Sequence, residues 1–80
     1  MKILKTLICK RSVILGGRKT SVSIENEFWD GLREIAVSQR LSIAELVTQI
    51  ARNRDNINLS SSIRLYVFNH FRARAQVAAK

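Results

Sequence analysis

The sequence predicts a mainly α-helical domain with a short N-terminal β-ribbon and a third, C-terminal helix, assembled as a homodimer. Three observations carry this expectation. Residues Thr20 to Ile24 alternate polar and apolar side chains soon after Gly16-Gly17, the period-two signature of a half-exposed strand. Three later segments repeat apolar residues at helical spacing, with capping and turn signals between them. Finally, 80 residues with one cysteine and one histidine cannot form an intrachain disulfide or a four-ligand zinc site. Oligomerisation is then the remaining way to reinforce so small a core.

The elements follow in chain order. Ser12-Val13-Ile14-Leu15 is a short β-branched run, and Gly16-Gly17 supplies the positive φ that a tight hairpin turn needs. In the alternating strand, Thr20, Val22 and Ile24 share one face and Lys19, Ser21 and Ser23 the other. A strand of this kind cannot bury its apolar face alone, and pairing with a symmetry mate gives a two-stranded ribbon. The first helix is expected to start with Asn26 as N-cap, with Glu27 and Asp30 near its positive end. Phe28, Leu32, Ile35 and Ala36 form its apolar stripe. Gly31 costs about 1 kcal/mol inside a helix relative to alanine, which marks either a close helix crossing or a tolerated irregularity. Ser42 and Glu45 make a capping box for the second helix, whose stripe is Ile43, Leu46, Val47 and Ile50. A break at residues 55–58 precedes the third helix, expected to begin near Asn58 or Ser60. Its stripe of Leu59, Ile63, Tyr66, Val67 and Phe71 is widened by Leu65 and Phe68. The expected organisation is a basic arm over 1–11, the domain proper over 12–72 and a fraying basic tail over 73–80.

The net charge of +8 is unevenly placed. Residues 1–24 carry six basic side chains and no acid, residues 25–55 hold all six acids, and residues 56–80 add four basic side chains. Such a surface points first to nucleic acid and second to an anionic membrane. No apolar run approaches the roughly 20 residues of a spanning helix, and no export signal is recognisable, so the expectation is cytoplasmic. No triad, metal cluster or glycine-rich phosphate loop appears, which excludes an enzyme and gives no reason to expect a cofactor or a small-molecule substrate. His70 and Cys9 are read as ordinary structural residues.

Residues Thr20 to Ala36 resemble the ribbon-helix-helix family of bacterial and phage repressors, and Leu41 to Val47 match that family's turn and second helix. Asn58 to Phe68 resemble a subgroup with an N-terminal hairpin and an extra C-terminal helix. The resemblance implies an intertwined homodimer that binds double-stranded DNA sequence-specifically and represses transcription by occluding a promoter. It implies base reading by Lys19, Ser21 and Ser23, and phosphate contacts at Lys10, Arg11, Arg18, Ser42 and Ile43. The dimer core would hold Thr20, Val22, Ile24, Leu32, Leu46 and Ile50. Two serines are weak base readers beside Arg, Asn or Gln. The alternative function is a protein–protein interaction module, antitoxin-like or a phage-derived adaptor, using the apolar face of residues 59–71.

Overall fold

The computed structural model describes residues 7–52 and 58–78. The order is β1 (Ile8–Leu15), β2 (Arg18–Glu25), α1 (Asn26–Ser38), α2 (Ile43–Arg52) and α3 (Leu59–Ala78). β1 and β2 form an antiparallel hairpin in which Leu15 faces Arg18, Ser12 faces Ser21 and Ile8 faces Glu25. Gly16 and Gly17 make the turn with φ of 58° and 78°, the pair of positive values that a type I′ turn demands.

β1 begins at Ile8, four residues before the apolar run that announces it, and takes in part of the expected N-terminal arm. Its inner positions are Cys9, Arg11, Val13 and Leu15, so a charged residue interrupts the apolar phase and conceals the strand. β2 therefore has a full-length partner in its own chain, the hairpin expected around Gly16-Gly17.

The inner face of the hairpin lies on the three helices. Val22, Ile24, Leu32, Ile35, Leu46, Val47 and Ile63 are essentially inaccessible, each contributing about 1.5–3 kcal/mol by burial. Five residues expected in a dimer core, Val22, Ile24, Leu32, Leu46 and Ile50, are thus buried within one chain, while Thr20 is half-buried. Ile63 and Val67 of α3 belong to the same core.

The helix ends show how local sequence sets these elements. Asn26 is the first residue of α1 instead of its cap. Glu25 takes the cap position without a side-chain cap bond, and the Asn26 carboxamide accepts from Arg11. The Arg40 and Leu41 amides donate to the carbonyls of Val37 and Ala36 at 3.1 and 2.8 Å. Arg40 sits at φ 59°, completing a Schellman ending with arginine where glycine is usual. The capping box opens α2 as the sequence indicates: the Glu45 amide donates to Ser42 Oγ at 3.0 Å, and the Ser42 amide donates to Glu45 Oε1 at 2.8 Å. At the start of α3, Asn58 Oδ1 accepts from the Ser61 amide. The expected break falls largely on residues 53–57, outside the described residues. α3 continues as helix to Ala78, through most of the segment expected to fray.

α1 and α3 approach closely at Gly31. A Cβ there would stand 2.8 Å from Val67 Cγ1 and 3.3 Å from the Phe71 ring. Of the two readings the sequence leaves open, the close crossing is the correct one.

Candidate nucleic-acid interface

The two-residue turn fixes register, and register fixes which side chains share a face. On the outer face of the hairpin, Lys19, Ser21 and Ser23 of β2 stand opposite Ile14, Ser12 and Lys10 of β1. All six are exposed. At about 6.7 Å between alternate residues, Lys19 to Ser23 covers about 13 Å along the strand. Two ammonium groups flank a centre of serine hydroxyls, and Arg18 is exposed at the tip beside them.

Glu25 is the carboxylate that strand alternation would add to this face. It is held instead by α3: Arg64 Nε donates to Glu25 Oε1 at 2.7 Å. That bond, helped by the residue's own backbone amide and by the Arg64 charge, keeps the Glu25 carboxyl below the ordinary carboxylate value. With Glu25 so paired, the charged side chains that the two strands present on this face are Lys10 and Lys19. Nothing in the sequence pattern singles out this pair, because the two residues are 39 positions apart.

Arg11 is not on this face. It is an inner residue of β1, half-buried, with its guanidinium 4.8 Å from the centre of the Trp29 ring. Its Nη2 donates to Asn26 Oδ1 at 2.6 Å. In the folded chain Arg11, expected at a phosphate, makes a cation–π stack that ties β1 to α1. Lys10, its neighbour in sequence, points to the opposite side.

At the start of α2, Ser42 is exposed and Ile43 is partly buried against the core. The Ser42 amide is engaged by the Glu45 carboxylate, which the bonds from Ser42 hold below its usual pKa. The first-turn amides of Ile43 and Ala44 have no acceptor within the helix. Ser42 is thus a cap whose amide already faces an anion of the same chain. Among the described residues no group of three His, Cys, Asp or Glu side chains could hold a metal. None of the described helices is long and apolar enough to cross a membrane.

A family model described as a ribbon-helix-helix domain matches residues 8–71. Comparisons with curated proteins and with solved structures give no match.

Proposed function

We propose that this chain, which belongs to the ribbon-helix-helix family, is a homodimeric transcriptional repressor of the bacterial cytoplasm that lays the outer face of its hairpin on double-stranded DNA. The family is in general one of non-enzymatic, DNA-binding regulators. The finer reading rests above all on one observation: Lys10, Ser12, Lys19, Ser21 and Ser23 share an exposed face from which the neighbouring carboxylate is withdrawn. The major groove admits a two-stranded ribbon. Two copies joined along their β2 edges present two β2 strands at the centre and place one β1 on each flank. Lys19, Ser21 and Ser23 then meet base edges, while Lys10 and Arg18 meet phosphates. At α2, a phosphate would approach the amides of Ile43 and Ala44 beside the Glu45 carboxylate, so that clamp is weaker than the helix dipole alone suggests.

The test is fluorescence anisotropy of labelled duplexes at several salt concentrations. Lys10→Ala should weaken binding to all sequences alike and flatten the salt slope by about 0.9 for each phosphate left without its lysine. Lys19→Ala should erode preference for the best site by about 1–3 kcal/mol if it bonds well to a base edge. No binding to any duplex at low salt, or binding indifferent to salt, refutes the proposal.

A further inference from the structure

The outer face of the hairpin ends on an acid. Side chains alternate along a strand, so Glu25 follows Lys19, Ser21 and Ser23 on one side of β2. Its opposite residue on β1 is Ile8, which is exposed and offers no charge. Two residues further along β1 is Lys10, opposite Ser23. Lys10 therefore stands diagonally across from Glu25, at about 7–8 Å, a separation that long side chains span.

The Glu25 carboxylate has three candidate partners: the first amides of α1, Lys10 on the face, and α3. It occupies the N-cap position of α1 yet makes no side-chain cap bond there. It goes instead to α3, where Arg64 Nε donates to Glu25 Oε1 at 2.7 Å. Both side chains are partly buried, Arg64 at 30% and Glu25 at 21% exposure, so salt screens this pair less than a fully exposed one. Arg64 is carried by a firmly seated stretch of helix. Ser62, Ile63 and Val67 around it are buried, and Ile63 and Val67 belong to the core. α3 thus brings a fixed guanidinium to the end of β2, while Lys10 stays exposed on the face.

We propose that Arg64 is a positioning residue for DNA binding: it touches no DNA itself, and by holding Glu25 it keeps Lys10 available to a phosphate. This rests on the outer face being the DNA-binding surface. Without Arg64, the Glu25 carboxylate turns to Lys10, the cation diagonal to it. The lysine is then neutralised, and a negative charge stands where a phosphate approaches. The C-terminal helix, 39 positions from Glu25 at Arg64, thereby sets the charge that the hairpin presents. Unit charges about 7–8 Å apart in water alter an affinity about two- to threefold, so a dimer with two such pairs changes by about five- to tenfold at low salt.

Anisotropy titrations of one labelled duplex at several salt concentrations test this on the full chain, with circular dichroism as the check on folding. Arg64→Met keeps the aliphatic stem and removes the charge. It should bind about five- to tenfold more weakly at low salt and flatten the salt slope by about 0.9 for each lysine diverted. Glu25→Gln added to Arg64→Met should restore wild-type affinity and slope, because no carboxylate remains to occupy Lys10. Arg64→Lys should stay near wild type, since a cation still reaches Glu25. Lys10→Ala should cost less in the Arg64→Met background than in wild type, the lysine being already engaged. Glu25→Gln alone leaves α3 untouched and is informative even if Arg64→Met does not fold: affinity should be unchanged, whereas tighter binding would mean that the freed Arg64 itself meets phosphate. The proposal is overturned by that gain, by wild-type affinity in Arg64→Met, or by failure of Glu25→Gln to restore it. Each of these results leaves wild-type binding and its dependence on Lys10 in place, and the proposed function with them. No duplex binding by wild type refutes both.

Discussion

Replacing Gly31 with alanine sets two effects of opposite sign against each other. Helix propensity favours alanine over glycine by about 1 kcal/mol. Against this, the new methyl would lie 2.8 Å from Val67 Cγ1 and 3.3 Å from the Phe71 ring, while carbon atoms in ordinary contact sit about 3.5–4.0 Å apart. About 1 Å of relief is needed on the Val67 side. Val67 is 5% exposed and β-branched, so its rotamer is fixed within a helix, and α3 must move away from α1. Overpacking of this kind costs about 1–3 kcal/mol. Because the obstacle is stiff, the upper part of that range applies, and the net destabilisation is about 1–2 kcal/mol. For a domain of this size that lowers the thermal midpoint by about 4–16 °C.

The assay is thermal unfolding followed by circular dichroism at one fixed protein concentration, because association shifts the midpoint by mass action. The double variant Gly31→Ala with Val67→Ala gives the new methyl its space. It should be more stable than the sum of the two single effects predicts, with a coupling of about 0.5–3 kcal/mol. If Gly31→Ala raises the midpoint, propensity has won, and the close crossing of α1 and α3 is refuted. Strict additivity in the double variant would relocate the cost away from Val67.

Two further outcomes follow from the helix ends. Arg40 holds a left-handed conformation at φ 59° that costs a side-chain-bearing residue about 1–2 kcal/mol, so Arg40→Gly should stabilise the domain by about 0.5–1 kcal/mol after glycine's greater freedom in the unfolded chain is offset; a lowered thermal midpoint would show that the Arg40 side chain itself contributes. Glu25 titrates below its ordinary value in the folded chain, so its contribution to stability is present in full above the normal carboxylate range and is lost as pH falls through that range toward the folded value. Arg64→Ala should bring the Glu25 carboxyl back toward ordinary titration in an NMR pH series and flatten that part of the acid-stability profile, and an unmoved Glu25 titration would rule Arg64 out as the cause.

Much of the fold is legible in the sequence because its signals are local. The capping box at Ser42 and Glu45, the Gly16-Gly17 turn and the stripes of α1 and α2 each depend on residues within a few positions of one another. The concealed parts depend on partners far away. The Glu25–Arg64 bond spans 39 positions, and its two residues read separately as a helix-start acid and a surface arginine. Asn26 is an acceptable cap by type, yet Arg11 of the other strand takes its carboxamide. Gly31 has no intrinsic meaning until Val67 and Phe71 lie across from it. The extension of α3 to Ala78 has a local signal, the good helix formers around Ala73 and Ala75, which the basic, terminal character of the segment masks.

The basic residues show why composition alone does not define an interface. Lys10 and Arg11 are adjacent, carry the same charge and count equally toward the acid-free stretch of residues 1–24. A strand sends neighbours to opposite faces, and the glycine turn pairs Lys10 with Ser23 and Arg11 with Val22. Lys10 consequently joins the exposed serine face, while Arg11 covers Trp29 and holds Asn26. A one-residue slip of the pairing register would exchange them, setting Lys10 on the face of Val22 and Ile24 and Arg11 on that of Ser21 and Ser23. The charge on the outer face is therefore set in part by two glycines that carry no charge, because the register they fix decides which basic side chains of the hairpin stand on it.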